Sequence, residues 1–470
     1  MVVQDWQRLC DDLVPDLQGL QLGVYASGGS PYHYLALAAL WGAEVRPIRA
    51  EDVASGSLAS LDVLIFPGGG FKAMEGMLEP LGTQGAQKVR DWVAKGGMYL
   101  GSCAGSFLPA ELGDGYWQAH EEARNLHMVK AKLANSSDSI FEGLSSPGVG
   151  TLQVRLSKSD HWLAHGLPER FEIVHYNGPL FAPSTEGIAE PYAVATGVMQ
   201  AVSMTETFTP AEGFMEAKPE TTLLERCIAQ GAFNGLSSPY GEGQVVLFGS
   251  HPEFGFDSLQ LGWGEAVKLV ANALTFQASK GKRFNRRKSE TLSSKETAEL
   301  FMGCSQTLTQ CADLFDDLQS TDADDWLKGQ VPSFLGRSAK ELWLEASQEA
   351  ANVALLSSKL ALDLSKHEAV LESFWLDDEP RGNQDVGFMG LKQLSAEILE
   401  QLQLALKQLK TEPITLNHAY DGFGVHPYQI AVSSYLSAAG LCAAAHLLTV
   451  TLAKLSGNDS LIDYRYLLRT

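Results

Sequence analysis

Short apolar runs alternate with helical patterns along the first part of the chain, an arrangement typical of a parallel sheet covered on both faces. The pattern predicts, in order, strand Gln21–Ala26, helix Tyr32–Trp41, strand Glu44–Ile48, a strand that ends in a glycine loop over Asp62–Gly70, helix Gly85–Lys95, and a strand that runs into a tight turn over Met98–Ser106. Later runs are more typical of antiparallel strands, namely Thr151–Leu156, Phe171–His175, Tyr192–Ala195 and Arg226–Phe233. A strand at Gln244–Gly249 and a helix at Ser258–Gln277 end this part of the chain. The whole pattern predicts an α/β domain.

A different pattern follows the basic segment KGKRFNRRK. Apolar residues recur every three or four positions, as on one face of a helix, in Leu300–Leu318, Leu342–Leu360 and Leu391–Leu409. A fourth segment, Tyr428–Leu455, is almost uncharged. Four such faces bury one another most simply in a helical bundle. We therefore predict an α/β domain over residues 1–279, a basic linker over 280–290 and a helical domain over 291–470.

Composition limits the classes of function. The chain has 470 residues, 45% of them hydrophobic, which excludes a disordered protein. Its formal net charge of −21 repels phosphate backbones, so we expect no nucleic-acid partner. The six cysteines form no CxxC pair, which argues against a zinc or disulfide framework, and the N-terminus does not resemble a signal peptide. A cytoplasmic location is the expectation.

The uncharged stretch from Pro427 to Ala453 is long enough to cross a bilayer. It also carries several Ser and Thr residues, a glutamine and a histidine, and its basic flanks are nearly absent. These features favour a buried bundle helix over a membrane span.

The strongest chemical signal is GSCAG, Gly101–Gly105, directly after a predicted strand. Small residues around a nucleophile allow the sharp strand-to-helix turn on which such a group is presented. A following helix points its N-terminus at Cys103 and stabilises a thiolate, while Ala104 offers a backbone N–H to an oxyanion. The alternative is that Cys103 is simply a small buried residue in a tight turn.

Two further signals follow predicted strands. In GSHPEFG, His251 and Glu253 lie two residues apart, a spacing that lets a carboxylate orient a histidine acting as base for the thiol. In FPGGG, Gly69 and Gly70 lie at the carboxyl edge of a parallel sheet, where sites form, and can offer a second oxyanion donor. As a phosphate loop this segment lacks the Lys-Ser/Thr ending.

The order PGGG, GSCAG, HPE resembles the class I glutamine amidotransferase-like superfamily. The segments YASGGSPYHY, VHYNGPLF and GEGQVVLFGSHPEFG resemble its subgroup found at the N-terminus of some biotin–protein ligases. The resemblance covers roughly residues 20–277. It implies a flavodoxin-like α/β/α sandwich with Cys103 as nucleophile, His251 as general base and Glu253 as orienter. It also implies an oxyanion hole of Gly69, Gly70 and Ala104.

Two features depart from that superfamily. Glutaminase members usually carry a glutamine two residues after the second elbow glycine, whereas here Ser106 and Phe107 follow Gly105. No GRGRRG-type loop of a biotin ligase catalytic domain is present either. The sequence therefore leaves two functions open. One is a cysteine-dependent amidase or amidotransferase acting on a C–N bond of a small molecule, without metal or organic cofactor. The other is a non-catalytic ligand-binding or regulatory protein.

Weaker candidates surround this core. Ser27, Gly28, Tyr176 and Asn177 are expected either to line a substrate pocket or to serve as turn residues. The helical domain is expected to mediate oligomerisation or to dock a partner protein. No histidine shows metal-ligand spacing, and we expect surface positions for His120, His127, His161 and His165.

Overall fold

The structure is a computed structural model of the chain. It describes residues 17–27, 31–68, 73–111, 126–134, 149–176, 178–182, 188–202, 205–207, 214–216, 222–254, 264–280, 291–319, 339–366 and 370–372, and positions 396, 399 and 403.

The strands, in chain order, are β1 Gln21–Tyr25, β2 Glu44–Ile48, β3 Val63–Phe66, β4 Met98–Ser102, β5 Val149–Leu156, β6 Arg170–Tyr176, β7 Glu190–Val202, β8 Thr205–Thr207, β9 Phe214–Glu216, β10 Phe233–Tyr240, β11 Gly243–Phe248, β12 Thr291–Ser293 and β13 Val370–Glu372. The helices are α1 Tyr32–Leu40, α2 Ala50–Ser55, α3 Ala73–Ala94, α4 Ala104–Phe107, α5 Thr222–Ala229, α6 Val267–Ser279, α7 Ser294–Gln319 and α8 Ala339–Leu364.

One large sheet organises the first domain. Its strand order is β2-β1-β3-β4-β11-β10-β7-β5-β6, and the first five strands are parallel. The order 2-1-3-4 followed by a late fifth strand is that of a flavodoxin-like sheet. All residues of β3 and β4 are buried, as expected for strands covered on both faces. The fold is therefore the predicted flavodoxin-like α/β/α sandwich.

The other four strands of the sheet are antiparallel to their neighbours. The prediction of a strand at Arg226–Phe233 was wrong, because helix α5 occupies its first part and β10 begins only at its last residue. Gly231, with a φ of 74°, ends the helix in the left-handed region. The amide of Ala232 then donates to the carbonyl of Cys227. The apolar run Arg226–Phe233 therefore contains the end of a helix, a turn and the first residue of a strand.

Helix α3 is longer than the predicted Gly85–Lys95. It begins at Ala73 and contains a kink at Gly82, whose φ of 60° and ψ of 179° are not helical. Pro80, two residues earlier, lacks the amide hydrogen of a regular helix. The helix joins the carboxyl end of β3 to β4, so its length does not alter the sheet edge where the candidate residues lie.

Helices α7 and α8 pack against each other after the sandwich. Of the predicted stripe of α7, Cys304, Leu308, Cys311 and Phe315 are almost fully buried. Leu300 is only partly buried, and its neighbour Phe301 is fully buried instead. The chain thus continues from the sandwich into a helical region, as predicted. The third and fourth predicted helices lie outside the described residues, apart from helical positions 396, 399 and 403. Within the part of the chain that the structure describes, no helix is long and apolar enough to span a bilayer.

Candidate active site

Cys103 occupies a sharp elbow between β4 and the short helix α4. Its φ of 47° and ψ of −117° lie outside the regions that non-glycine residues normally adopt. Such a conformation costs about 1–3 kcal/mol and persists only where the surroundings impose it. The amide of Cys103 donates to the carbonyl of Phe248 at 3.0 Å, which ties the elbow to the end of β11.

The residues around the elbow explain why the chain can turn there. A Cβ on Gly105 would collide with the carbonyl of Phe66, so only glycine fits this position. The Tyr99 hydroxyl donates to the Gly105 carbonyl at 2.7 Å, and the Ser106 hydroxyl donates to the Phe248 carbonyl at 2.8 Å. The helix expected after the thiol is α4, which begins at Ala104 and has only four residues, about one turn.

His251 and Glu253 follow β11 at the same edge of the sheet. The His251 amide donates to the Val174 carbonyl at 2.8 Å, which anchors this segment to β6. Nδ1 of His251 lies 2.7 Å from Oε1 of Glu253, and each side chain is only 3% exposed. The Phe254 ring stacks on the imidazole at 4.3 Å, within 2° of parallel. The imidazole is thus held on its edge by the carboxylate and on its face by an aromatic ring.

The structure places the Cys103 thiol and the His251 imidazole close enough to interact. Gly68, at the end of β3, lies against both: a Cβ built there would be 2.5 Å from His251 Cε1, 2.6 Å from Cys103 Cβ and 3.3 Å from its Sγ. Burial alone lowers the pKa of His251, but the negative charges of Cys103 and Glu253 outweigh it and raise that pKa to about 10. An imidazolium beside the sulfur is therefore favoured at neutral pH.

A second layer of polar groups surrounds the acid. The Ser102 hydroxyl donates to Oε1 of Glu253 at 3.2 Å, the oxygen that His251 also uses. Tyr34, on α1, lies near both Glu253 and Ser102. Burial raises the pKa of Tyr34 well above its usual value, and the charge of Glu253 raises it further. The phenol is therefore a hydrogen-bond donor at any pH the protein meets.

Two residues of the segment VHYNGPLF, Gly178 and His175, also lie next to the site. Gly178 packs on the elbow, where an added Cβ would lie 3.2 Å from Cys103 Cα and would collide with the Gly249 carbonyl. His175 is fully buried, and its Nδ1 lies 2.9 Å from the Ser250 hydroxyl, which accepts from Asn234 at 2.7 Å. Burial and the neighbouring His251 lower the pKa of His175 to about 3, so this second imidazole is neutral.

The weaker sequence candidates fall in different places. Ala104 begins α4 directly after Cys103, whereas Gly69, Gly70, Gly28 and Asn177 lie outside the described residues. Ser27 is buried, and its hydroxyl accepts from the Ala50 amide at 3.1 Å at the start of α2. Tyr176 ends β6, and its side chain is outside the described part. The structure therefore brings together the thiol, imidazole and carboxylate, and gives Ser27 a turn role.

Three site residues were not singled out by sequence reasoning. Gly68 directly precedes the predicted oxyanion glycines, Ser102 directly precedes the thiol, and Tyr34 lies in the YASGGSPYHY segment. Proximity to a motif was the only available signal, and it does not specify the direction of a side chain.

The expected surface position of His161 was wrong. This residue is 5% exposed, with Nδ1 accepting from the Leu163 amide and Nε2 3.1 Å from the Ser237 hydroxyl. Because Nδ1 is an acceptor, Nε2 carries the proton and donates to Ser237, so the pair cannot activate that serine as a nucleophile. His161 caps a 3-10 turn, Trp162–Ala164.

Comparison with known proteins gives one family match, over residues 45–293, described as the N-terminal region of biotin–protein ligase. A curated relative is the pyridoxal 5′-phosphate synthase subunit PdxT of Mycolicibacterium vanbaalenii. It is 38% identical over 138 residues, which cover 27% of this chain and 67% of the relative.

Solved structures give weaker similarity. A ThuA-like protein from Bacteroides uniformis matches with a TM-score of 0.33 and 13% identity, over 56% of this chain and 93% of its own. A glutamine amidotransferase from Thermotoga maritima matches with a TM-score of 0.28 and 12% identity, over 56% and 86%. Similarity at these TM-scores does not indicate a function.

Proposed function

Because the chain belongs to the biotin–protein ligase N-terminal family, within the glutamine amidotransferase-like proteins, we propose that it is a cysteine-dependent C–N hydrolase or amidotransferase. The observation that carries the proposal is the buried Cys103–His251–Glu253 arrangement at the carboxyl edge of the parallel strands. Cys103 is the nucleophile, His251 the acid and base, and Glu253 the group that orients His251.

The steps follow from the protonation state of the pair. The Cys103 sulfur attacks the carbonyl carbon of an amide, and a C–S bond forms. As the C–N bond breaks, the imidazolium of His251 gives its proton to the leaving amine. Water then attacks the thioester, His251 takes the water proton, and the C–S bond breaks to release the acid and the thiolate. These steps use only the thiol, the imidazole and the carboxylate.

The amide oxygen needs donors while it carries negative charge. We assign this role to the Ala104 amide and to the Gly69–Gly70 loop, which follows Gly68. We also propose four residues as substrate contacts, namely Ser27, Gly28, Tyr176 and Asn177. Ser27 is the least favourable of them, because its hydroxyl already accepts a hydrogen bond from the Ala50 amide.

Ser106 and Phe107 stand where glutaminase members provide a glutamine contact, and both are buried, with Ser106 committed to the Phe248 carbonyl. The substrate is therefore an amide other than glutamine, in a cytoplasmic setting, with the acidic helical domain serving self-association or a partner protein. A ligand-binding protein without catalysis is the second candidate, favoured by the same missing contact.

Competition between thiols for iodoacetamide at pH 7, followed by peptide mass mapping, tests the proposal. Cys227 is the internal control, since burial raises the pKa of its thiol to about 11, which leaves roughly one molecule in 10⁴ as thiolate. We expect Cys103 to react at least about 100-fold faster than Cys227, and His251→Gln to remove most of that advantage. Equal rates for Cys103 and Cys227 would show that the site holds no activated thiol.

Release of amine from a panel of small amides separates the two candidate functions. We expect turnover that Cys103→Ala abolishes and Cys227→Ala retains. A fast-reacting Cys103 with no turnover of any amide, and ligand binding that survives in Cys103→Ala, would favour the binding protein.

A further inference from the structure

Only one of the two carboxylate oxygens of Glu253 accepts hydrogen bonds at the site. Oε1 lies 2.7 Å from Nδ1 of His251 and accepts a hydrogen bond from the Ser102 hydroxyl at 3.2 Å. Oε2 is buried and accepts no hydrogen bond from the described part of the chain. A buried carboxylate oxygen without a donor costs free energy that the fold must supply.

A matching donor lies beside it. The hydroxyl of Tyr34 is also buried and has no hydrogen-bond partner among the described residues. The Tyr34 ring is 1% exposed, so water does not provide the missing partner easily. Glu253 and Ser102 are polar side chains close enough to this hydroxyl to interact with it. A buried donor without a partner and a buried acceptor without a partner thus belong to two side chains that interact with each other.

We propose that Tyr34 is a positioning residue that donates its hydroxyl to Oε2 of Glu253 and holds the carboxylate in its imidazole-facing orientation. Tyr34 acts through Glu253 and does not touch the reacting atoms. This inference rests on the proposed function, because it assigns Tyr34 to the same thiol–imidazole–carboxylate site. It also gives the YASGGSPYHY segment a role.

The electrostatic surroundings are consistent with this role. The titratable groups around the Tyr34–Glu253 pair are His251 and Cys103 at the site, Tyr192 from β7, and His33 beside Tyr34 on α1. The His33 ring packs on Phe254 at 4.7 Å, the same ring that stacks on His251. Helix α1 therefore supports the imidazole by two routes, one through Phe254 and one through the acid.

The test is the pH dependence of Cys103 alkylation by iodoacetamide. On acidification, the thiolate–imidazolium pair of the proposed function is lost, and the rate of alkylation falls with it. Tyr34→Phe removes a donor to a charged group, so we expect the acid limb to move up by about one to two pH units. The matched control is Tyr25→Phe, which removes a buried hydroxyl that donates to the Met77 carbonyl on the other face of the sheet. Its acid limb should not move.

Replacement of Tyr34 by 3-fluorotyrosine covers the case in which Tyr34→Phe does not fold. The hydroxyl is retained but becomes a stronger donor, so the acid limb should move the opposite way, to lower pH. An acid limb at the wild-type position in either folded variant overturns the role of Tyr34. Failure of wild-type Cys103 to react faster than Cys227 instead overturns the proposed function, so the two failures are distinguishable.

Discussion

Substituting Gly68 by alanine tests the packing of the site directly. The added Cβ would lie 2.5 Å from His251 Cε1 and 2.6 Å from Cys103 Cβ. Ordinary carbon contacts are about 3.5–4.0 Å, so the thiol, the ring or the backbone at residue 68 must give way by about 1 Å. Gly68 is not among the glycines with positive φ, so alanine is permitted by the backbone and the effect is steric.

A displacement of about 1 Å within a reacting pair is enough to cost about 100-fold in rate. We therefore expect the second-order rate of Cys103 alkylation at pH 7 to fall by about that factor in Gly68→Ala. Overpacking should also lower the free energy of unfolding by about 1–3 kcal/mol, measured by urea denaturation.

Gly303→Ala is the matched control. Gly303 lies in α7, and a Cβ there meets nothing within 4 Å. It should leave Cys103 reactivity unchanged and raise the free energy of unfolding by about 1 kcal/mol through helix propensity. A folded Gly68→Ala protein that alkylates at the wild-type rate would refute the placement of Gly68 between the two side chains.

Two other expectations concern the same site. Gly178→Ala, whose Cβ would strike the Gly249 carbonyl and press on Cys103 Cα, should destabilise the protein by about 1–3 kcal/mol in urea denaturation. It should also slow Cys103 alkylation, and unchanged values of both would contradict the packing of VHYNGPLF on the elbow. The alkylation rate of Cys103 should stay level from about pH 7 to 9, because the pKa of His251 is raised to about 10. The rate of Cys227, whose thiol has its pKa raised to about 11, should climb about tenfold per pH unit over that range, and parallel profiles for the two thiols would argue against an ion pair.

Local signals were sufficient to predict the core of the site. GSCAG and GSHPEFG each follow a buried strand, and parallel strands bring their carboxyl ends to one edge of a sheet. Cys103 and His251 therefore meet although they are far apart in sequence. A cysteine beside a histidine suggests a nucleophile and its base, so the residue types alone indicated the chemistry.

The remainder depends on contacts that no local pattern encodes. Tyr34 lies in the predicted helix Tyr32–Trp41, and only the packing of that helix in the fold brings its hydroxyl close to Glu253. His161 has the sequence surroundings of a surface residue, yet its ring is buried between Trp162 and Tyr192. Helix α5 was misread because an apolar run with β-like composition does not reveal the turn at Gly231.

The protonation state of His251 is the central claim, and ¹⁵N NMR of the imidazole at pH 7 measures it most directly. We predict the two similar nitrogen shifts of an imidazolium, persisting to about pH 10 because Cys103 and Glu253 supply negative charge. In Cys103→Ala, loss of one of those charges should bring the titration down toward neutral pH. A wild-type ring that is neutral at pH 7, or one that titrates at the same pH in both proteins, would contradict a thiolate–imidazolium pair at this site.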